Sequence, residues 1–326
     1  MNKKIVTILF ISVALFFNAC QKGSDIFVPD PGQSNTADTV WSNPIATSAA
    51  VFSLQNVLKT EPLRDSFEIT ANTSILTTSN GVQCTFPARC FVNSAGLAVT
   101  GKVYADILLI KKKGDMILMN KPTISNGNLL VSGGEIFISL KKDGKELQLA
   151  PNSKIYLRYS DFPTNPQMKL FYGDESNPGQ FNWLPNTNSS DSLFVGQQTY
   201  EIATSHLRWI NCDYFYDTTG ITRSVVSATL PSNYTNANTT SFLVFKDFRS
   251  VVGMYADVPQ KRFITGKVPN GKVAVIVAIS KQGNDYFLGK ETITTGVNIS
   301  TANIQNVLLK PVKTSLADIK LFLSTL

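Results

Sequence analysis

The sequence predicts an all-β protein with two β-sandwich domains, a short C-terminal helix and an N-terminal signal segment. Three observations indicate this fold class. Short apolar segments alternate with polar residues from about residue 51 onward, Asn-Gly and Asp-Gly pairs separate them, and helical periodicity is almost confined to the end of the chain. We expect one sandwich at residues 51–160 and another at residues 213–326. The segment between them, residues 161–212, is rich in Pro, Asn and Gly, so we expect it to be irregular.

The N-terminal residues have the pattern of a secretory signal. Two lysines precede an uncharged run at residues 5–17, and the tripeptide Asn-Ala-Cys ending at Cys20 closes it. As a helix, this run of thirteen residues would be about 20 Å long, whereas the hydrocarbon layer of a bilayer is roughly 30 Å thick. The sequence therefore predicts a signal peptide at residues 1–19. An ordinary secretory signal with an unrelated cysteine, or a short membrane anchor, are the alternatives.

Cys20 follows a small residue, with Phe and Leu upstream, in a pattern that resembles the lipobox of bacterial lipoproteins. The resemblance implies a diacylglyceryl group on the Cys20 thiol, cleavage before this residue and acylation of the new amine. Each buried methylene contributes about 0.8 kcal/mol, so two or three acyl chains would hold the protein on a membrane. Gln21 in place of Asp implies the outer membrane, by resemblance to sorting rules. Residues 20–50 are rich in Pro, Gly, Ser, Thr and Asn, which predicts a lipidated, flexible stalk.

Local signals place the strands and the one helix. The hairpin signals are Asn-Gly pairs at residues 80–81, 126–127 and 270–271 and an Asp-Gly pair at residues 143–144. The stretch GKVAVIVAIS, residues 271–280, is apolar on both faces, which predicts a central strand covered on both sides. In the stretch TSLADIKLFLSTL, Ser315 and Asp318 resemble a capping box, and apolar residues line one face of the predicted helix.

Two stretches resemble known proteins. Residues 81–103, GVQCTFPARCFVNSAGLAVTGKV, resemble the core of ZU5-like β-sandwich modules, which implies that Phe86 is buried, Pro87 ends a strand and Phe91 plugs the core. Residues 114–134, GDMILMNKPTISNGNLLVSGG, together with residues 207–215, LRWINCDYF, resemble a group of uncharacterised lipoproteins of the Bacteroidota. This second resemblance implies a β-rich envelope lipoprotein and brings no catalytic residues with it.

The cysteines and the single histidine limit the chemistry. Cys84 and Cys90 flank a turn, so they are either joined by a disulfide or remain as two buried thiols. His206 is the only histidine, which leaves too few soft ligands for a zinc site. A Cys212–His206 pair is conceivable, but we expect Cys212 to be a core residue, with Asp213 capping a turn. We therefore expect no metal, no cofactor and no catalytic residues.

The remaining patterns favour binding over catalysis. The net charge of +7 is scattered and forms no basic stripe with interleaved aromatics, so we expect no nucleic-acid partner. Side chains alternate along a strand, so at least one ring of Tyr214, Phe215 and Tyr216 should reach the surface and mark a contact patch. We expect a non-enzymatic envelope protein that contacts the membrane through Cys20 and binds an unknown protein or glycan.

Two other functions stay open at this point. One is an envelope hydrolase or a peptidase-associated protein whose site uses dispersed carboxylates; these are Glu135, Glu201 and Glu291. The other is a periplasmic assembly factor. The acidic loop YGDESNPGQ, with Asp174, Glu175 and Asn177, has oxygen ligands of the kind that Ca²⁺ prefers but lacks the spacing of a calcium-loop motif, so we expect it to be a solvated loop.

Overall fold

The structure is a computed structural model that describes residues 36–176 and 181–326. The predicted signal peptide, Cys20 with the rest of residues 20–35 of the predicted stalk, and Asn177 lie outside the described residues. Residues 36–50 differ from the flexible stalk expected from their composition, because the Asp38 carbonyl accepts a hydrogen bond from the Asn238 side chain at 3.0 Å and the Ser42 carbonyl accepts one from the Asn236 side chain at 2.7 Å. The described chain is all-β, as predicted, with three short α-helices, and none of its helices is long and apolar enough to span a bilayer. The helices are α1 (Ala50–Leu58), α2 (Lys113–Leu118) and α3 (Leu316–Ser324), and a 3₁₀ turn occupies Thr36–Thr39.

In the two described ranges, fifteen strands lie before residue 216 and eight after it. The first fifteen are β1 (Leu63–Ile69), β2 (Ser74–Thr77), β3 (Gln83–Phe86), β4 (Phe91–Val92), β5 (Gly101–Ile110), β6 (Ile124–Ser125), β7 (Asn128–Lys142), β8 (Lys145–Glu146), β9 (Gln148–Leu149), β10 (Ile155–Ser160), β11 (Lys169–Asp174), β12 (Asn182–Pro185), β13 (Ser192–Val195), β14 (Thr199–Thr204) and β15 (Arg208–Phe215). The last eight are β16 (Arg223–Thr229), β17 (Thr239–Phe245), β18 (Val251–Asp257), β19 (Arg262–Pro269), β20 (Val273–Gln282), β21 (Asp285–Thr294), β22 (Ile304–Leu308) and β23 (Val312–Thr314).

The first two large sheets enclose a common core. Sheet I has the order β1-β5-β7-β15-β11-β12, with β6 and β8 paired to β7, and sheet II has the order β13-β14-β10-β3-β2. Alternating apolar residues of both sheets form core 1, which includes Phe86, Ile138, Tyr159 and Ile210. A small sheet of β4 and β9 adds Phe91, which is fully buried against Phe86.

The segment at residues 161–212 differs from the irregular connection expected from its composition. It contributes β11 to β14 and most of β15, which complete sheets I and II. Its Pro, Asn and Gly residues fall mainly in the turns between short strands, whereas the strands themselves alternate. In β14, Tyr200 and Ile202 are buried in core 1 while Glu201 points outward. The high Pro, Asn and Gly content of residues 161–212 comes from the turns, and the strands between them are too short to change the average composition of the segment.

Sheet III has the order β22-β16-β19-β18-β17-β20-β21-β23, and its two faces border two different cores. On β20, Ala274 and Ile276 belong to core 3, which sheet III itself encloses, whereas Val275 and Val277 belong to core 2. Both neighbours of β20 are occupied, by β17 and β21. The prediction of a central strand covered on both sides is therefore confirmed.

Core 2 lies between sheet I and sheet III and is closed by the helices. It combines Trp209 of β15 and Leu108 of β5 with Phe242 of β17, together with apolar residues of α1, α2 and α3. The C-terminal helix is confirmed: the Ser315 hydroxyl accepts a hydrogen bond from the Asp318 backbone N–H at 3.0 Å, and Ile319 is one of the α3 residues buried in core 2.

Three of the four predicted hairpin turns are confirmed. Asn126-Gly127 and Asp143-Gly144 have positive φ at both positions and join β6 to β7 and β7 to β8, while Asn80-Gly81 lies between β2 and β3. Asn270-Gly271 is different, because β19 and β20 pair with other strands. There the Gly271 N–H donates to the Thr295 carbonyl at 2.7 Å, and the turn carries the chain from β19 to β20 across sheet III.

Candidate functional site

The aromatic run after Asp213 places one ring at the surface. Phe215 is 40 % exposed, while Tyr214 and Tyr216 are half-buried. The exposed ring is supported from below, because Phe215 meets the buried Phe171 edge to face at 5.5 Å. Tyr216 stacks on Phe248 with their centroids 4.7 Å apart. Both rings are therefore fixed by the core rather than free to turn.

These two rings form part of a shallow pocket of about 280 Å³, which we call the Phe215 pocket. Its wall combines the start of β7, the end of β15, the start of β16 and the end of β19. The Tyr216 N–H donates to the Leu129 carbonyl at 2.9 Å, which holds the end of β15 against β7. The lining residues are Gly127, Asn128, Leu129, Phe215, Tyr216, Thr218, Arg223, Lys267 and Pro269.

The polar part of the Phe215 pocket is cationic. Arg223 and Lys267 are exposed, and neither side chain has a hydrogen bond or ion pair with another residue of the described chain. Lys272 adds an ammonium group 5.9 Å from the centre of the Tyr216 ring. An Arg guanidinium presents a rigid set of N–H donors that match a carboxylate or phosphate. The arrangement suits an anionic group lying beside a flat apolar surface.

A second surface depression, of about 410 Å³, lies on the outer face of sheet II. Tyr156 is 49 % exposed and Phe194 is 63 % exposed, and they flank an ion pair between Arg158 and Glu201 at 3.3 Å. Neither ring was predicted to be exposed from the sequence. Alternation in KIYLRYS could have revealed Tyr156, because its neighbours Ile155 and Leu157 are buried. The opposite charges of this ion pair sum to zero, in contrast to the cationic rim of the Phe215 pocket.

His206 lies in a polar cluster that the sequence did not reveal. Asp191 Oδ2 accepts hydrogen bonds from the Tyr172 hydroxyl at 2.7 Å and the Ser205 hydroxyl at 2.9 Å, and it lies 3.3 Å from His206 Nδ1. Burial raises the pKa of Asp191, but these hydrogen bonds outweigh it and leave the pKa below its usual value. The His206 ring stacks on Tyr172 with centroids 3.8 Å apart.

This cluster lacks the geometry of a catalytic triad. A relay needs serine and aspartate on opposite nitrogens of the imidazole, so that a proton can pass from one side to the other. Ser205 Oγ and Asp191 Oδ2 both lie near His206 Nδ1, at 3.4 and 3.3 Å. Asp191 is thus the central acceptor that connects Tyr172, Ser205 and His206. Ser205 donates to the carboxylate directly instead of to the histidine.

The cysteines of the described chain are buried free thiols. Of the two alternatives for Cys84 and Cys90, the structure shows unpaired thiols in core 1. Burial raises the pKa of Cys212, Cys84 and Cys90 to about 12, so all three are protonated at neutral pH. Reactive cysteines have lowered pKa values, and Cys212 is fully buried whereas His206 is half-exposed. Cys212 is a core residue.

Asp213 differs from the turn cap expected from the sequence, and the three glutamates considered for a hydrolase site lie apart from one another. Asp213 caps no turn; it lies inside β15 and is fully buried. The alternation of β15 explains this, because Asp213 is two residues from Asn211 and shares its inward face. Glu135, Glu201 and Glu291 lie on β7, β14 and β21, in three different sheets, so they do not converge on one site.

The acidic loop before Asn177 is used for ion pairs. Glu175 contacts Lys121 at 3.1 Å and Arg208 at 3.0 Å, and Asp174 accepts from the Ser176 N–H. Within the described ranges, no group of three or more His, Cys, Asp or Glu side chains is arranged to hold a metal ion.

No family model matches this chain, and no curated protein matches it either. The two resemblances drawn from the sequence therefore stay predictions.

Proposed function

We propose that the protein is a lipoprotein of the bacterial envelope, anchored in the outer membrane through acyl chains on Cys20, which binds a protein or glycan partner without catalysing a reaction. The observation that supports binding most directly is the Phe215 pocket, where two exposed cations with no partner among the described residues border a supported aromatic floor. Its position at the end of the aromatic run agrees with the contact patch expected from Tyr214, Phe215 and Tyr216.

The pocket favours a partner that presents an anionic group next to a flat apolar surface. Arg223 and Lys267 supply positive charge at the rim, and Phe215 and Tyr216 supply the surface on which a ring can lie. A uronic acid of a glycan and an acidic side chain beside an aromatic one in a protein both fit that description. Aromatic and Arg side chains are also the groups that most often dominate binding energy at interfaces.

The hydrolase alternative has less support from the geometry. Its dispersed carboxylates lie in three sheets, and the Asp191–Ser205–His206 cluster holds serine and aspartate at the same ring nitrogen. The assembly-factor alternative is a special case of binding, in which the partner is a component of a surface machine. Identification of the captured partner distinguishes it from a glycan-binding role.

The binding proposal is tested by capture from intact envelopes. Photo-crosslinking with the full-length protein should recover a specific partner, and Phe215→Ala combined with Arg223→Glu should reduce recovery by about tenfold or more. Phe194→Ala is the matched control, because Phe194 is a more exposed ring on sheet II, outside the pocket. Equal recovery with the wild-type protein and the pocket variant would refute the assignment of this pocket.

The anchoring proposal is tested separately. Cys20→Ser should remove the labelling of the protein by radioactive fatty acid and prevent it from reaching the outer-membrane fraction, whereas Ser24→Ala should change neither. The signal peptide of the serine variant should also remain uncleaved, which a shift in mass detects. A serine variant that is as firmly membrane-bound and as fully processed as the wild type would exclude lipid anchoring at this residue.

A further inference from the structure

Two carboxyl groups in the middle of sheet I are fully buried without a well-formed hydrogen bond in the described chain. Glu135 on β7 has no polar partner for either carboxyl oxygen, whereas Asp213 on β15 has only the weak contacts of Ser132, Asn211 and the Gly133 N–H, which lower its pKa but do not reach hydrogen-bond geometry. The amide nitrogen of Asn211, next to them on β15, is also without a partner. More than nine-tenths of buried polar groups in native proteins are paired, so a cluster of this kind indicates that something else occupies the space.

A β-bulge brings these groups onto one face of the sheet. Ser132 and Glu135 are three residues apart, so on a regular strand they would point to opposite faces. The register shifts between Cys212 and Asp213, so that Asn211 lies opposite Glu135 and Asp213 lies opposite Ser132. The extra residue in β7 returns Ser132 to the face of Glu135. All four polar side chains then lie on the core 2 side, between Leu130 and Trp209.

The bulge itself depends on two glycines. A Cβ atom on Gly133 would lie 3.0 Å from the Cys212 carbonyl oxygen, and a Cβ atom on Gly134 would lie 3.0 Å from the Tyr159 ring. Gly134 also has φ of 139°, which other residues rarely adopt. Bulges that redirect side chains occur often beside functional sites. The pair Gly133-Gly134 thus builds the polar cluster at a position where a regular strand would not.

The charges of the two carboxyls are not balanced by the basic groups around them. Lys121 acts on Glu135 and Arg249 acts on Asp213, and each cation is already engaged, Lys121 with Glu175 at 3.1 Å and Arg249 with Asp161 at 3.1 Å. Burial and the neighbouring Asp213 raise the pKa of Glu135 well above its usual value, and burial raises that of Asp213 to about 7. Asp115 on α2 adds further repulsion to Glu135.

We propose that Ser132, Glu135, Asn211 and Asp213 form an internal binding site for a calcium ion that joins β7 to β15. Together the four side chains offer six oxygens and two carboxylate charges, which match the coordination number and the charge that Ca²⁺ requires. The hydroxyl of Ser132 donates a long hydrogen bond to the amide oxygen of Asn211 at 3.4 Å, so these two oxygens already have a spacing that suits two ligands of the same ion. Mg²⁺ retains several water molecules, which a site buried on all sides cannot supply. This site is independent of the Phe215 pocket and of the lipid anchor.

The first experiment measures calcium on the full chain. Protein purified in detergent, unfolded and refolded in EDTA, should take up about one calcium per chain when CaCl₂ is added, as measured by mass spectrometry of the element. Its thermal midpoint should rise by about 5 °C or more in saturating CaCl₂ but not in MgCl₂ or NaCl. Terbium should also bind and show luminescence excited through Trp209, which is two residues from Asn211 on the same strand face.

The variants decide whether the cluster is responsible. The combined variant Glu135→Gln and Asp213→Asn should bind no calcium, yet fold in EDTA with a midpoint at or above that of the wild type in EDTA, because the repulsion is gone. Asn211→Asp adds a third carboxylate and should tighten calcium binding several-fold. Asp257→Asn, a partly buried aspartate paired with Arg262 on sheet III, should respond to calcium as the wild type does. A wild-type protein without bound calcium and without a shift in midpoint, or a combined variant that binds it equally well, would overturn the site.

Discussion

Two central strands of this protein lie at the same depth but bury different chemistry. β20 is flanked by β17 and β21, and its two faces carry only small or aliphatic residues from Ala274 to Ile279. β15 is flanked by β7 and β11 and is equally covered on both faces. On its core 1 face it carries Ile210 and Cys212, but on its core 2 face it carries Asn211 and Asp213.

The fold explains the first strand but not the second. Burying apolar surface stabilises a protein by about 25 cal/mol per Å², so every residue of β20 favours the position it occupies. An unpaired buried polar group costs several kcal/mol, and a buried charge costs more. Asp213 and Glu135 therefore oppose folding unless a proton or a cation compensates them. Where a buried strand departs from the apolar pattern without hydrogen bonds, a ligand is the simplest reason.

The largest expected effect comes from placing a buried carboxyl group, as found on β15, on the core 2 face of β20. Val277→Asp would place an unpartnered carboxyl group in core 2, where Val277 is fully buried. We expect the free energy of unfolding to fall by about 4 kcal/mol or more, measured by urea denaturation. Val277→Thr has nearly the same shape and no charge, and it should cost only about 1–3 kcal/mol. Similar stability of the two variants would show that core 2 does not penalise charge, and the contrast between the strands would disappear.

The second effect is a pH dependence in the absence of calcium. The pKa of Asp213 in the folded protein is raised to about 7, whereas an unfolded aspartate titrates near pH 4. Between these values the folded state holds a proton that the unfolded state has lost. The free energy of unfolding contributed by this group is therefore greatest below about pH 4 and falls by up to about 1.4 kcal/mol per unit as pH rises towards 7. Glu135, whose pKa is also raised, acts in the same direction.

Urea denaturation in EDTA across this range measures the slope. Other carboxyls act with the opposite sign: the Arg64 and Lys141 side chains lower the pKa of Asp106, so its contribution is lost as pH falls. The wild type is therefore compared with two variants. In Asp213→Asn the free energy of unfolding should fall less steeply between pH 4 and pH 7, and in the combined variant Glu135→Gln and Asp213→Asn it should not fall. Saturating CaCl₂ should also abolish this decrease in the wild type. Parallel profiles for all three proteins would contradict the assigned protonation.

The contrast between the strands also marks the limit of sequence-based prediction. The double-faced apolar run of β20, the capped helix α3 and the turns at Asn126-Gly127 and Asp143-Gly144 follow from periodicity and turn chemistry, which are local. The Phe215 ring follows from alternation, since three adjacent aromatics cannot all be buried. Arg223 and Lys267 could not be placed beside it, because strand order in sheet III is not local. The cluster of Ser132 and Glu135 was hidden for another reason: the bulge at Gly133-Gly134 changes the face that simple alternation assigns.

A smaller effect concerns the helix that covers core 2 beside both strands. Ser315→Ala removes the hydroxyl that accepts from the Asp318 N–H and should lower the free energy of unfolding by about 1 kcal/mol. Ser315→Thr retains the hydroxyl that accepts from the Asp318 N–H and donates to Asp318 Oδ2 at 2.6 Å, and it should cost much less. The loss should appear in urea denaturation and as faster amide exchange around Ile319. A loss of several kcal/mol would mean that α3 is required for core 2 to form at all.

The smallest effect tests whether burial, and not charge itself, separates β15 from the rest of the protein. Glu201 lies on the outer face of β14 and pairs with Arg158 at 3.3 Å, with both side chains about half exposed. Exposed ion pairs of this kind contribute little, so Glu201→Gln should change the free energy of unfolding by less than about 0.5 kcal/mol. The same substitution at Glu135 should have a larger effect, stabilising in EDTA and destabilising in CaCl₂ relative to the wild type. If both glutamates responded equally and without regard to calcium, Glu135 would have to be in contact with water, and the reason for placing an ion beside it would be gone.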